Sequence, residues 1–470
     1  MEETTRPDYK FPVTVSAGTA KFEDMVCELR LPRRIVDPVR VRLLPTQAQL
    51  RVLVNSHKFG IDYTAEGFRV TAETVYWEGG GSTTWGGGVH DQELIGRAAD
   101  LTITEAGNYA PRQVAVFFLT PNVYLRPWKV LMPHPSGEVT IQSHERFAFP
   151  LLHQGGWMSF DSHYRQQPTN QGMLSFPEWV AECDLPEGMS AEDAVLQLDD
   201  FLLIVSFATR QRVVCLGWSV AGPDHHTRYF RHNRVLPREL PNHSFNDTLV
   251  FEENFADFMI RAHSSFQDHP QQALLRQALQ RLTFCRDRQG ATETFYLALY
   301  AALESLIQLF VRKKPSVGLL LPKEQWRVVS DGLKGAVRTS LPPGLAQDKR
   351  DSIYSGLRSL NRAPVGVVLR ALCEQYTVDL SDLWPVTDDG KGITLAQIRN
   401  KLIHGQFIGP EFERSLWIAR VHLEWVVERL LLAVLGWDGR RHSRVGFMAL
   451  KIFTPYHNWR QAREELTAAS

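Results

Sequence analysis

The stretch Thr394-Leu395-Ala396-Gln397-Ile398-Arg399-Asn400-Lys401-Leu402-Ile403-His404-Gly405 decides how the C-terminal half of this chain is read. Its apolar positions recur at the helical period, and Gly405 is placed to end the helix as a C′ residue. The six residues Arg399 to His404 put an arginine, a neutral amide and a histidine on one short helix. Arginine grips a phosphate through two parallel N–H donors, and histidine moves protons near neutral pH. Together they suit phosphodiester chemistry that needs no metal.

Outward from this helix the same period continues. Ala273–Cys285, Thr292–Arg312, Gln325–Thr339, Lys349–Leu360, Val365–Gln375 and Phe412–Leu435 all fit it. Pro342-Pro343 and Asp388-Asp389-Gly390 separate two of these segments from their neighbours. The pattern predicts an all-α domain over 251–437, followed by a polar tail, 438–470, with aromatic anchors.

Upstream the period changes to two. Val39–Leu44, Gln49–Val54, Phe68–Trp77, Gln113–Leu119, Val123–Val130 and Glu138–Ile141 read as short strands. Their spacing predicts a β-sandwich or a strongly bent sheet. Gly79–Gly88 (GGGSTTWGGG) reads as a flexible loop among them. Ser190 and Asp193 resemble a capping box, with a helix running to about Ala208. Arg212–Val220 reads as a strand, and the polar stretch Ala221–Asn246 as a long loop. The fold class is therefore α+β in two domains: a β-rich, sandwich-like region over 1–250 and a helical bundle after it.

Composition excludes several classes. The 470 residues carry 52 Lys+Arg and 52 Asp+Glu, so no global field draws polyanions. Five scattered cysteines, never spaced as CxxC, read as reduced, mostly buried thiols of a cytoplasmic protein. The polar N-terminus MEETTRPDYK lacks the apolar core of a signal peptide, and no run of about 18 apolar residues predicts a membrane span.

Arg399 and His404 lie five residues apart, about 140° around a helix. They do not share a face. Two copies packed antiparallel across a twofold axis would bring both pairs into one cleft, so the spacing hints at a composite site in a homodimer. At the helix C-terminus the dipole favours protonated His404, while a neighbouring arginine opposes it. That balance would poise the imidazole for acid–base work. The bland alternative is an ordinary surface arginine and a C-capping histidine. Glu304 lies on the largely apolar stripe Leu297, Tyr300, Ala301, Ile307. A carboxylate there needs a partner or a cleft. A salt bridge to Arg399 would orient the guanidinium; an ion pair with another basic residue is the alternative.

The arrangement R-N-x-x-x-H resembles the signature helix of HEPN domains. Thr292–Leu306 (TETFYLALYAALESL), with Ala302-Leu303-Glu304, resembles the long second helix of the Apea-like HEPN group. Thr377–Pro385 (TVDLSDLWP), ahead of the Arg-to-His helix, is similar to that group as well. The likeness spans roughly 270–437. It implies a metal-independent endoribonuclease with no cofactor, in which a ribose 2′-OH attacks the adjacent phosphate to give a 2′,3′-cyclic phosphate. Arg399 would hold the phosphate, His404 would move a proton, and Asn400 would orient His404 or bond the phosphate. The resemblance further implies a toxin-type role in anti-phage defence by abortive infection. The target would be RNA, often tRNA, and a phage-derived protein a possible trigger. The alternative is a catalytically silent dimerisation or ligand-binding module whose N-terminal domain does the recognising.

Weaker signals remain. Asp224-His225-His226 and Arg228–Arg234 mix histidine, arginine and aromatics, but their spacing fits no standard zinc pattern, and a solvated loop is the preferred reading. Arg440, Arg441, Arg444 and Lys451, with Arg460 and Arg463, form a basic stretch with interleaved aromatics. It would guide RNA, or dock by its aromatics on the N-terminal domain. The glycine loop lacks the Gly-Lys-Ser/Thr ending of a P-loop.

Overall fold

A computed structural model of the chain describes residues 8–32, 38–83, 91–120, 129–133, 139–143, 148–150, 156–169, 172–231, 248–285, 291–405, 410–437 and 454–469. The protein is mixed α+β and divides into two compact units. One comprises Met1–Leu202 and Val213–Ser244; the other comprises Leu203–Arg212 and Phe245–Ser470. The division differs from a single cut near residue 250. The last turns of one helix go to the second unit, and so does the C-terminal tail.

The first unit is built on one antiparallel sheet. Six of its strands close into a ring: β1 (Tyr9–Ala17), β2 (Ala20–Arg30), β3 (Arg40–Leu44), β4 (Lys58–Ala65), β5 (Phe68–Thr83) and β6 (Asp91–Ala98). The pairing runs β5-β4-β1-β2-β3-β6 and returns to β5. Of the two expected arrangements, this is the strongly bent sheet. Closure works because β5 is 16 residues long. Its first residues pair with β7 (Asp100–Ala106), and its later ones with β6. Beyond β7 the sheet continues through β15 (His225–Arg231), β14 (Cys215–Ala221), β8 (Val114–Leu119), β13 (Gly172–Asp184), β12 (Trp157–Thr169) and β11 (Ala148–Pro150). Strands β9 (Lys129–Pro133) and β10 (Val139–Ser143) pair separately.

Alternation sets which face is buried. Phe11, Val13, Val15 and Ala17 of β1 point into the core with Val41, Leu43, Phe59, Ile61, Val75 and Leu94 from the other ring strands. Gly96 is where the ring closes tightly. A Cβ there would sit 2.8 Å from Val75 Cγ1 and 3.0 Å from the Tyr76 carbonyl oxygen.

Three expectations in this unit are corrected. Gln49–Val54 is not a strand but part of helix α1 (Gln47–Asn55). Thr46 and Gln49 form a reciprocal capping box, which decides for helix where a six-residue apolar pattern fits both states. Gly79–Thr83 is not loop but the end of β5, paired with β6; residues 84–90 lie outside the described residues. Ala221–Asn246 is not one long loop, because His225–Arg231 is β15, held between β14 and β7. Its polar side chains are used across strands. Arg228 bonds the Tyr9 hydroxyl at 2.6 Å and Glu105 at 2.9 Å, Arg231 bonds Asp199 at 2.9 Å, and His226 meets Ser219 at 2.6 Å. Among the described residues no His/Cys/Asp/Glu group could hold a metal. Ser190 and Asp193 cap helix α2 (Ala191–Thr209) reciprocally.

Among the described residues, the regular elements of the second unit are helices, joined by turns and short irregular segments; Leu319 and Arg362 form an isolated bridge. Helix α3 (Phe255–Gln267), not singled out by the period, buries Phe255, Phe258, Met259, Ala262 and Phe266. Helix α4 (Gln272–Phe284) precedes the 22-residue α5 (Thr292–Lys313). Then come α6 (Lys323–Ser340), α7 (Gln347–Ser359), α8 (Val365–Tyr376), α9 (Leu395–Ile403) and α10 (Glu413–Val434). By length and composition alone α5 is apolar enough to cross a membrane, yet 61% of that window is buried inside the fold. It is the central helix, packed by α4, α8, α9 and α10. The tail is also corrected: Thr454–Ala468 forms helix α11, packed on α10.

Candidate functional site around Arg399

The platform is one face of α5. Tyr296, Tyr300 and Glu304 follow each other at intervals of four and so stack along that face. Helix α9 is fastened to it. Thr394 caps α9 in a second reciprocal box with Gln397. Leu395 and Ile398 are buried, and the buried Tyr296 hydroxyl donates to the Leu395 carbonyl at 2.8 Å. The segment before α9 is pinned as well. Trp384 Nε1 donates to the Ile393 carbonyl at 3.0 Å, and Arg463 Nε to the same oxygen at 2.9 Å.

With α9 so placed, the residue after Ile398 reaches along α5. Arg399 Nη2 donates to Glu304 Oε1 at 3.1 Å, and its guanidinium lies 5.5 Å from the centroid of the Tyr300 ring. Nη1 donates to Asn400 Oδ1 at 3.1 Å. The guanidinium is thus held by a carboxylate, an amide oxygen and an aromatic face, each suited to its charge or donors. Burial raises the Tyr300 phenol above its ordinary range; Glu304 adds to this and Arg399 opposes it. Tyr300 therefore stays neutral and serves as a face, not a charge. Arg399 and Glu304 side chains remain 31% and 40% exposed, so the pair borders solvent and an incoming group can reach it.

His404 is elsewhere. It is the exposed C-cap of α9, and its backbone N–H donates to the Asn400 carbonyl at 3.0 Å. Gly405 follows at φ +68°, the left-handed conformation its position demands. Among the described residues nothing hydrogen-bonds the His404 ring. The chain therefore brings Arg399, Asn400 and Glu304 together and leaves His404 pointing to solvent. Asn400 is turned to Arg399 rather than to His404.

Asn400 also lines a depression of about 520 Å³, together with Gln397, Lys401, Asp388, Gly392 and Thr467; Arg399 and Glu304 are not among its lining residues. The basic residues Arg440, Arg441, Arg444 and Lys451 lie outside the described residues. Arg463 does not belong to a nucleic-acid patch. It is buried, binds both carboxylate oxygens of Asp389, and donates to the Gly392 carbonyl at 2.9 Å. Trp459 packs on Trp384 and His422 within the helical unit, while Phe447 and Phe453 lie outside the described residues.

Sequence reasoning missed Tyr296 and Tyr300. Their spacing to Glu304 was visible, but tyrosines at helical spacing read as core. It also missed Trp384 and Arg463, whose contacts are made by segments far apart in the chain.

No family model matches the chain, and no curated protein matches it. Among solved structures the chain is similar to YcgR of Escherichia coli, crystallised in complex with c-di-GMP. That likeness covers 42% of this chain and 84% of that one at 10% identity, with a TM-score of 0.12, and carries no argument about fold or function.

Proposed function

We propose that this protein is a metal-independent endoribonuclease of the HEPN type. The observation that carries the reading is the clamped guanidinium: Arg399 is held by Glu304 at 3.1 Å and backed by Tyr300. Such a guanidinium is oriented before the phosphate arrives, which favours charge that develops during 2′-OH attack. His404, exposed one helical turn and a half along α9, is free to take or give the proton. Because the two side chains leave α9 on different faces, a full site needs the His404 of a second copy, set against Arg399 by a twofold axis. Asn400 shares the phosphate or holds Arg399. The cell biology that fits is cytoplasmic defence, with RNA cleavage released by an invader's product.

The test is cleavage of a tRNA pool in EDTA by the purified full chain. His404→Ala should abolish cleavage while secondary structure and oligomeric state stay unchanged. Cleavage at the parent rate by that variant would sink the assignment. The alternative, a silent binding module, predicts no cleavage by the parent and no growth arrest on expression.

A further inference from the structure

Helix α6 carries a pattern that the Arg399 site does not use. Lys323, Arg327, Lys334 and Arg338 fall within a sector of about 60° on its surface, a ridge about 22 Å long. Trp326, Val329, Leu333 and Val337 fall on an adjoining sector. Glu324 and Asp331 stand only at the far edge of the ridge. Lys323, Arg327 and Arg338 are exposed and, among the described residues, unpaired; Lys334 shares its ammonium with Asp331 at 3.2 Å.

The arrangement is unfavourable for a helix in isolation. Lys323 with Arg327, and Lys334 with Arg338, are like charges at i,i+4, which repel. Lys323 also sits at the positive end of the helix dipole. The wider segment 312–362 holds eleven Lys/Arg against four Asp/Glu, in a chain whose totals are 52 and 52. A positive ridge of this kind is stabilised by a linear polyanion laid along it, whose phosphates replace the missing counter-charges.

A bilayer would fit less well. Trp326, Leu333 and Val337 are half-buried and of that sector only Val329 is exposed, so most of its apolar surface is not free to enter lipid while the cationic ridge stays wet. We infer that the α6 ridge of Lys323, Arg327, Lys334 and Arg338 binds the phosphodiester backbone of RNA, independently of base sequence. The choice of RNA rests on the proposed function, while the ridge itself is argued from charge and spacing, and its test reads binding alone.

The experiment is fluorescence anisotropy of a labelled 30-nucleotide single-stranded RNA against the full-length protein across a salt series. The variant is K323Q/R327Q/K334Q/R338Q, whose positions are surface-facing and whose glutamines keep helix propensity. Log affinity against log salt should lose a slope of about 0.7 per phosphate contact, close to 3 for all four. Affinity at low salt should fall at least tenfold. R327K/R338K, which keeps every charge on the ridge, should keep the parent slope. A parent that does not bind RNA, or a quadruple variant with the parent slope, overturns the ridge. So does stronger binding of the parent to phosphatidylserine vesicles than to RNA, lost in the quadruple variant. Cleavage surviving in His404→Ala bears on the catalytic reading and leaves this one untouched.

Discussion

Glu304 accepts a hydrogen bond from Arg399 at 3.1 Å across 95 residues of chain. Both side chains are partly solvated, so the pair contributes only about 0–1 kcal/mol to stability. Its consequence is orientation. Glu304→Gln should leave the melting temperature within about 3 °C of the parent. Under the proposed function, RNA cleavage followed under single-turnover conditions should fall at least tenfold. An unchanged rate would remove Glu304 from the site. Arg399→Lys should not restore what Arg399→Ala loses, because an ammonium cannot hold Glu304 and a phosphate in one plane.

Tyr296 ties α9 to α5. Its hydroxyl is fully buried and donates to the Leu395 carbonyl, and burial holds the phenol neutral, well above its ordinary range. Tyr296→Phe leaves that carbonyl without its partner. Urea denaturation should show a loss of about 1–2 kcal/mol. An unchanged urea midpoint at an unchanged slope would mean that the hydroxyl does not fasten the helix.

Arg463 holds the Asp389 carboxyl below the usual carboxylate range, at about 2. A depressed carboxyl favours the fold above its unfolded pKa and loses that contribution as pH falls through the folded one. Comparing the parent with Asp389→Asn should show roughly 1–2 kcal/mol in favour of the parent at pH 6, allowing for partial solvation. The difference should shrink below about pH 4 and vanish near pH 2. A difference that is flat with pH would contradict the ion pair.

Glu428 is fully buried on α10 and takes Nε–H of Arg210 at 2.8 Å, with Nη2 on its other oxygen. Removing Arg210 takes a two-point cationic partner away from this buried carboxylate. Arg210→Met should cost about 3–5 kcal/mol, and adding Glu428→Met should recover much of it. A double variant no more stable than the single would show that the pair does more than neutralise itself.

All five cysteines are free, and four are buried. Burial pushes Cys27 and Cys183 up to about 12 and Cys373 up to about 11. A thiol-specific disulfide reagent at pH 8 should therefore react slowly with the native chain and with all five thiols after denaturation. Rapid reaction at Cys27 would contradict its burial.

Periodicity was enough to locate α4 through α10 within a few residues; α4, α5, α8, α9 and α10 bury apolar side chains at that period, while α6 and α7 only half-bury theirs. It failed at Gln49–Val54, where six residues fit two periods and only the Thr46 cap separates them. It failed again at His225–Arg231. That strand lies between two others and has few apolar residues to mark it; Arg228 and Arg231 are satisfied by Tyr9, Glu105 and Asp199 from distant segments, and His226 by Ser219 on the neighbouring strand. The tail looked polar because, among the described side chains of α11, only Ala462, Arg463 and Leu466 are buried.

The sequence by itself determined that a β-rich region precedes a helical one. It also determined that Arg399, Asn400 and His404 ride on one short helix ended by Gly405. These are local properties, set by side-chain period and by the conformations that a cap or a glycine allows. Only the tertiary structure decided that six strands close into a ring through a shared β5, and that Glu304 and Tyr300 hold Arg399 while His404 faces solvent. Those outcomes depend on which distant surfaces meet. The 140° between two positions on a helix says that they part, but not what each will find there.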